Sequence, residues 1–510
     1  MKKGILSIFL AALTLSSCIK DALEVNPLDQ LSSASFWKTE SDVQSALTAC
    51  YSFFKRGGNW YGTTLQFPAG WDALSDDGYT QYDYGSANSI SFSGPTPTSS
   101  GYVSDAYTVD YQAIAAINYF MANIGKVTLP DASKKKYLAE ANFLRAFYYF
   151  QLATLYGNVI LIKEPAIDTF KEPRAKSTKD EVLAFVNEEL DKAITDLPDV
   201  AYADGHAVKG SAQALKARVL LYQKKYPEAA AMAKNIIDGG KYKLWANYKE
   251  LFYKPGQNNN TEIIFSIKNL PPNSYPDPGV DLFQGSWQAV QPTKNLIDEY
   301  EAKDGQPIGS SPVYDPAKPY DNRDPRLRMS FFVPGDGAAE GWNKYNGKAS
   351  FNPFVDANTT GFAVKKMLDP SRSDPQYSTQ SDQDYVLMRY AEVLLNYAEA
   401  ENEASGPANA YAAVNQIRTR AGMPALPTGL TKDQMRERIR HERRVELAME
   451  GLRYYDLRRW GIALQKLNGF KIVPGNNNLK DKYYEARFDI WPLPQTDIDR
   501  NSGLKQNDGY

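Results

Sequence analysis

Tyr137-Leu-Ala-Glu-Ala-Asn-Phe-Leu-Arg-Ala-Phe-Tyr-Tyr-Phe-Gln-Leu-Ala-Thr-Leu-Tyr156 decides the fold class. Tyr137, Ala141, Leu144 and Tyr148 form one stripe at helical spacing, and Phe143, Phe147 and Phe150 form another. A helix with two apolar faces needs a neighbour on each, so residues 133–156 predict stacked helices. Upstream, the pattern gives helices over 36–55 and 107–124, the first with a capping-box variant at Thr39-Glu-Ser-Asp42. The polar stretch 57–104 between them reads as a long connection. Downstream, Thr178-Lys-Asp-Glu181 is a capping box opening a helix that stops near Leu197 and Pro198. Residues 211–224 and 227–237 follow as a pair, and Ala214, Ala217, Ala229, Ala230 and Ala233 let them approach closely. That pair is similar to a tetratricopeptide unit of roughly 34 residues.

From 241 to about 380 the periodicity fails. A β-like run, Glu262-Ile-Ile-Phe-Ser-Ile267, lies there among Pro, Gly and Asn clusters. Helices resume over 385–403, 408–421 and 431–451, the last opened by the capping box Thr431-Lys-Asp-Gln434. The expected fold is mainly α, with tetratricopeptide-like helical pairs in one body, long irregular loops and a small β-containing insert. Residues 36–510 form its single domain, interrupted by the insert at about 241–380.

The first residues carry separate information. Lys2 and Lys3 precede an apolar run from Ile5 to Leu13, too short to span a bilayer, which reads as a secretory signal over 1–17. Leu15-Ser16-Ser17-Cys18 resembles a lipobox, so Cys18 is the expected lipidation site and 18–35 the anchor and tether. Each buried CH₂ of an acyl chain contributes about 0.8 kcal/mol, and several chains would hold the protein firmly on a membrane. With Cys18 acylated, Cys50 remains, on the stripe Val43, Leu47, Cys50, Phe54, as a small core residue. The 510 residues carry 58 Lys+Arg against 60 Asp+Glu, a net charge of −2, which leaves no excess of positive charge for nucleic acid. Aromatics are 13% of the chain, led by 34 Tyr, which suits a partner offering hydroxyls and CH faces.

Four stretches resemble the SusD/RagB family. They are Phe143-Leu-Arg-Ala-Phe-Tyr-Tyr-Phe150 with Leu155-Tyr-Gly-Asn158, and Tyr385-Val-Leu-Met-Arg-Tyr-Ala-Glu392 running on to Glu399. The third joins Arg440-His-Glu-Arg-Arg-Val-Glu-Leu447 to Gly451-Leu-Arg-Tyr-Tyr-Asp-Leu-Arg458. The last is Trp491-Pro-Leu-Pro-Gln495 with Ile498-Asp-Arg-Asn501 and Gln506-Asn-Asp-Gly-Tyr510. Their order and spacing carry the resemblance. It implies about four of the tetratricopeptide-like pairs, and glycan capture at the outer surface of the outer membrane, with a SusC-like TonB-dependent barrel as partner and no turnover. The acidic residues just after Cys18, Asp21 and Glu24, resemble the surface-export signal of Bacteroidetes lipoproteins.

Other chemistries find less support. Glu442 and Glu446, one helical turn apart, could pair as acid and base in a glycosidase, but Arg438, Arg440, Arg443 and Arg444 around them would hold both ionised. Arg389, Glu392, Asn396 and Glu399 read likewise as polar clasps between helices. The two histidines, His206 and His441, and the absence of paired cysteines give no metal-site spacing, and no cofactor motif is present. Asp76-Asp77-Gly78, or Asp277 and Asp281, could contribute to a calcium site but do not fit an EF-hand loop.

Sugar recognition needs flat apolar faces beside amides and carboxylates on loops held by a scaffold. One candidate region holds Trp71, Asp72, Asp77, Tyr79, Tyr82 and Tyr84; the other holds Asn273, Tyr275, Phe283, Trp287 and Gln288. The family resemblance places ligand aromatics in comparable loops without matching individual residues. Trp287, between Gly285-Ser286 and Gln288, is the leading candidate. Trp60, Trp71 and Trp342 read equally well as core anchors, and Trp460 and Trp491 as scaffold. Peptide cargo on the same fold is the alternative function, and surface glycoside hydrolysis a further one.

Overall fold

The computed structural model describes residues 36–56, 68–165, 173–273, 275–276, 279–346, 350–351 and 358–510. The expected leader, the Cys18 anchor, the 18–35 tether and Trp60 lie outside them. The principal helices are α1 (Glu40–Tyr51), α2 (Tyr102–Asn123), α3 (Asp131–Tyr156), α4 (Lys179–Asp196) and α5 (Lys209–Tyr222). They continue with α6 (Tyr226–Asp238), α7 (Tyr390–Ser405), α8 (Ala410–Arg420), α9 (Lys432–Glu446) and α10 (Arg453–Arg459). Thr39, Thr178 and Thr431 each cap a helix, accepting the N–H of Asp42, Glu181 and Gln434, whose side chains return the bond to the threonine N–H. Because Thr39 is the cap, α1 starts at Glu40 rather than at 36.

Neighbours in sequence are neighbours in space from α1 to α9. Each of these helices packs against the one before it, and α3 is covered on one side by α2 and on the other by α4. Both of its predicted stripes are accordingly buried, with Leu144 and Phe143 fully enclosed. Each such side chain contributes about 1.5–3 kcal/mol by leaving water. The apolar core runs without a break from Trp37 to Leu504.

The step from α6 to α7 spans the insert, and a sheet makes it possible. β2 (Ile263–Ile267) pairs antiparallel with β6 (Tyr385–Arg389), with Ile263 opposite Arg389 and Ile267 opposite Tyr385. The two ends of the insert are thereby clamped together, and α6 meets α7 directly. This corrects the expected helix start at 385: residues 385–389 are strand, because β2 supplies the backbone partners that a helix would otherwise provide. Further strands are β1 (Gly78–Thr80), β3 (Val290–Pro292), β4 (Phe331–Phe332) and β5 (Ala363–Val364), paired β1 with β3 and β4 with β5. The stretch 57–104 is also more regular than expected: its described part holds short helices at Pro68–Asp72 and Ala87–Ser93 besides β1. The last helix of the 431–451 prediction stops at Glu446; Met449 and Gly451 then take positive φ, and the Gly451 and Arg453 N–H groups donate to the Asp72 carboxylate.

Buried charge joins these parts. Glu446 accepts from Arg326 at 2.9 Å and from Arg389 at 2.6 Å, and it also meets Arg420. Glu442 pairs with Arg326 at 2.7 Å and with Arg418 at 2.9 Å. Burial by itself would raise both carboxyls, but the surrounding guanidinium groups outweigh it and hold them below the usual range, Glu446 well below. Neither can serve as a proton donor near neutral pH. The clasps on α7 reach three partners: Glu392 bonds Arg218 on α5, Asn396 bonds Arg443 on α9, and Glu399 bonds Arg459 on α10.

Candidate functional site

The β1–β3 ladder brings the two aromatic loops together. Tyr79 lies opposite Gln291 and Thr80 opposite Val290, and the pairing extends on either side through Gln81 N–H to Ala289 O at 3.0 Å and Thr293 N–H to Asp77 O at 2.9 Å. The chain leaving β1 therefore carries Tyr82 and Tyr84 past the chain entering β3, which carries Phe283 and Trp287.

The rings form a continuous row. Tyr82 and Tyr84 have centroids 5.8 Å apart, Tyr84 and Phe283 5.2 Å, Phe283 and Trp287 6.2 Å, and Trp287 and Tyr377 5.2 Å. Phe283 is buried and roots the row in the core; Trp287 and Tyr84 are half-buried; Tyr82 and Tyr377 at its ends are 63% and 51% exposed. Tyr377 escapes a sequence reading because it lies on the 370–382 loop, far from either aromatic cluster. Its one signal is a solitary ring in a run of Ser, Asp and Gln.

Local geometry sets the row. Trp287 follows a single π-helical stretch, Asp281–Ser286, whose backbone closes with Trp287 N–H to Leu282 O at 2.9 Å. Such turns widen a helix and re-aim the side chains that follow. Gly285 is required there, since a Cβ would come within 2.8 Å of the Tyr345 ring. Asp281 accepts the Asp369 N–H at 2.8 Å, and burial pushes its carboxyl up to about 7 even though Arg372 lies 3.3 Å away. Gln288 adopts a left-handed conformation and its side-chain Oε1 accepts from Asn358 Nδ2 at 2.7 Å. On the other loop Gly85 and Ser86 are both left-handed, and Gly101 packs on Gly85 so closely that a Cβ would sit 2.0 Å from its carbonyl oxygen. Asn88 holds Thr80 through two hydrogen bonds, at 2.8 and 2.9 Å.

The other candidates lie apart from the row. Trp71 is 2% exposed and packs on Tyr102 and Trp491, and Asp72 is fully buried beneath the 449–453 turn. Both are core residues, a correction with a plain cause: Pro68–Asp72 is a helix inside the body rather than a surface loop. Asp77 pairs with Arg444 at 2.7 Å and Asp76 with Arg453 at 2.8 Å, so their carboxylates serve the scaffold and do not converge on a cation site. Tyr79 is buried beside Phe92, its ring 6.5 Å away; Tyr275 is half-buried; Asn273 is exposed. Trp342 fills a satellite core with Phe332, Tyr345 and Phe351, and Trp491 bonds Tyr454 in the main core.

A half-buried row of rings rimmed by amides and hydroxyls can take a flat, apolar face while hydrogen-bonding at its edges. Comparison with known proteins adds the relatives. Residues 244–510 match the SusD family pattern and residues 27–221 match the pattern described as starch-binding associating with outer membrane. A SusD-like protein of Formosa agariphila is 26% identical over the whole of both chains. The starch-binding protein SusD of Bacteroides thetaiotaomicron is 25% identical over 78% of this chain and 76% of its own. Among solved structures, a SusD-like carbohydrate-binding protein of Bacteroides fragilis superposes with a TM-score of 0.80 at 28% identity, covering 92% of this chain and all of that one.

Proposed function

The chain belongs to the SusD family, and from that premise we propose that it captures an oligosaccharide or polysaccharide, without cleaving it, at the outer membrane. The observation that carries this reading is the row Tyr82, Tyr84, Phe283, Trp287 and Tyr377, built from three segments distant in sequence and exposed at both ends. Pyranose rings present CH groups on one face and hydroxyls around the edge. The row offers rings for the first, and Gln81 and Gln376, next in sequence to Tyr82 and Tyr377, lie on the same loops for the second. Relatives that bind starch and other carbohydrates support the assignment.

Retention at the membrane falls to Cys18, whose acylation after removal of residues 1–17 is part of the same proposal; among the described residues no helix is long and apolar enough to cross a membrane. A SusC-like TonB-dependent barrel is the proposed recipient of the glycan. Absence of turnover is supported by the candidate acid–base pair, Glu442 and Glu446, being held ionised inside an arginine cage.

Titration calorimetry of a soluble form lacking residues 1–18 against plant, host and microbial glycans tests the reading. One glycan class should bind saturably with no release of products. Trp287→Ala should lower that affinity by about 2 kcal/mol, the scale of a central aromatic contact, with little change in thermal stability. Silence across the panel, or binding that ignores Trp287→Ala, sinks it, and saturation by peptides in place of glycans would favour peptide cargo.

A further inference from the structure

A second cleft, of about 1010 Å³, lies in the insert and is chemically unlike the aromatic row. Five lysines line it, and three of them come from separate elements: Lys249 at the start of a short helix, Lys344 on the short helix 343–346, and Lys365 just after β5. Tyr253 and Tyr320 stand in the same wall. Among the described residues, no carboxylate comes within 4.0 Å of Lys249 or Lys365; each ammonium lies over a ring, Tyr253 at 6.0 Å from one and Phe332 at 5.0 Å from the other. Of the four acidic residues in the lining, Asp324 bonds Arg326, Asp321 lies 3.6 Å from Arg328, Glu340 accepts the Gly337 N–H and Asp315 accepts the Ala317 N–H.

Ammonium groups gathered at a partly desolvated wall repel one another. Burial, then the charges of Lys365 and Lys344, bring Lys249 down to about 8 against the opposing pull of Asp369 and Asp281. Lys365 is lowered mainly by burial, with Asp336 and Glu340 opposing and Arg328 adding to it. Cations placed this way are stabilised when an anion enters between them.

The geometry points to a second binding site in this cleft, taking the carboxylate or sulfate groups of an acidic saccharide. The lysines supply charge-assisted hydrogen bonds to the anion, and Tyr253 and Tyr320 supply faces for the sugar ring that bears it. That the anion arrives on a saccharide rests on the proposed function; the anion site itself stands on the cleft alone. An entering anion raises the Lys249 pKa, so binding takes up protons and weakens as pH rises past about 8.

The test titrates the protein at low ionic strength with an oligogalacturonate, a sulfated oligosaccharide, a neutral oligosaccharide and inorganic sulfate. At least one acidic saccharide should bind more tightly than the neutral one. Lys249→Gln with Lys365→Gln should weaken it about tenfold, the worth of roughly one charge pair, whereas Lys249→Arg with Lys365→Arg should keep most of the affinity. The uronate and sulfate arms decide which anion is preferred. Acidic saccharides that bind no better than neutral ones, or that bind the glutamine pair unchanged, overturn the proposal, as does binding confined to inorganic sulfate. If Trp287→Ala abolishes all binding while the glutamine pair changes nothing, the aromatic site stands and the cleft proposal falls; if the glutamine pair removes acidic binding while no neutral glycan binds, the reverse holds.

Discussion

Glu446 shows how much a single residue can hold. It is fully buried and joins Arg326 from the insert, Arg389 at the end of β6 and Arg420 at the end of α8. Replacing it by alanine takes one carboxylate from each of three buried guanidinium groups, and removing one partner of a buried pair typically costs about 3–5 kcal/mol. Glu446→Ala is therefore expected to lower the urea midpoint of unfolding strongly; a change within the error of the midpoint would show that the cage relaxes around the gap. The same scale separates the tryptophans. Trp287 is half-buried at the end of a turn, whereas Trp71 is enclosed by Tyr102, Tyr455 and Trp491.

Among the elements, the π-helical turn at Asp281–Ser286 is the one tied to the proposed ligand row, because it carries Phe283 and leads into Trp287. Its first residue has a carboxyl raised to about 7, chiefly by burial. A carboxyl raised on folding stabilises the folded state while it stays protonated, and that contribution is lost as pH rises through the folded value. Wild type should thus lose stability relative to Asp281→Asn as pH rises from about 4, the ordinary carboxylate value, to about 7, since the amide oxygen still accepts the Asp369 N–H and carries no charge. Thermal denaturation of both proteins across that range checks this. Parallel curves would place the ionisation of Asp281 elsewhere. At this scale capping chemistry was readable in advance, with three threonines starting three helices, but Tyr385–Arg389 was not, because its strand exists only through β2.

At the scale of the whole molecule, one apolar core extends from Trp37 to Leu504, and the β2–β6 ladder fastens the insert between α6 and α7. Residues 36–510 are expected to unfold in one cooperative step, with tryptophan fluorescence and far-ultraviolet dichroism giving coincident transitions. A separate early transition in fluorescence alone would mean that the insert, with its satellite core around Trp342 and Phe332, comes apart by itself.

Local sequence determined the helices, because helical periodicity and capping depend on residues three or four apart, and it marked the rings of 79–84 and 283–287 as aromatics in polar loops. It also identified the α9 glutamates as partners of arginine, although the nearest guanidinium groups proved to come from Arg326, Arg389, Arg418 and Arg420 rather than mainly from α9 itself. Only the tertiary structure decided which rings meet. Trp71 left the surface because its short helix packs inside the body, and Tyr377 joined the row because the 370–382 loop folds back on Trp287. Those outcomes rest on pairing between segments more than 80 residues apart, such as Tyr79 opposite Gln291, and such pairing leaves no period in the chain from which it could be read.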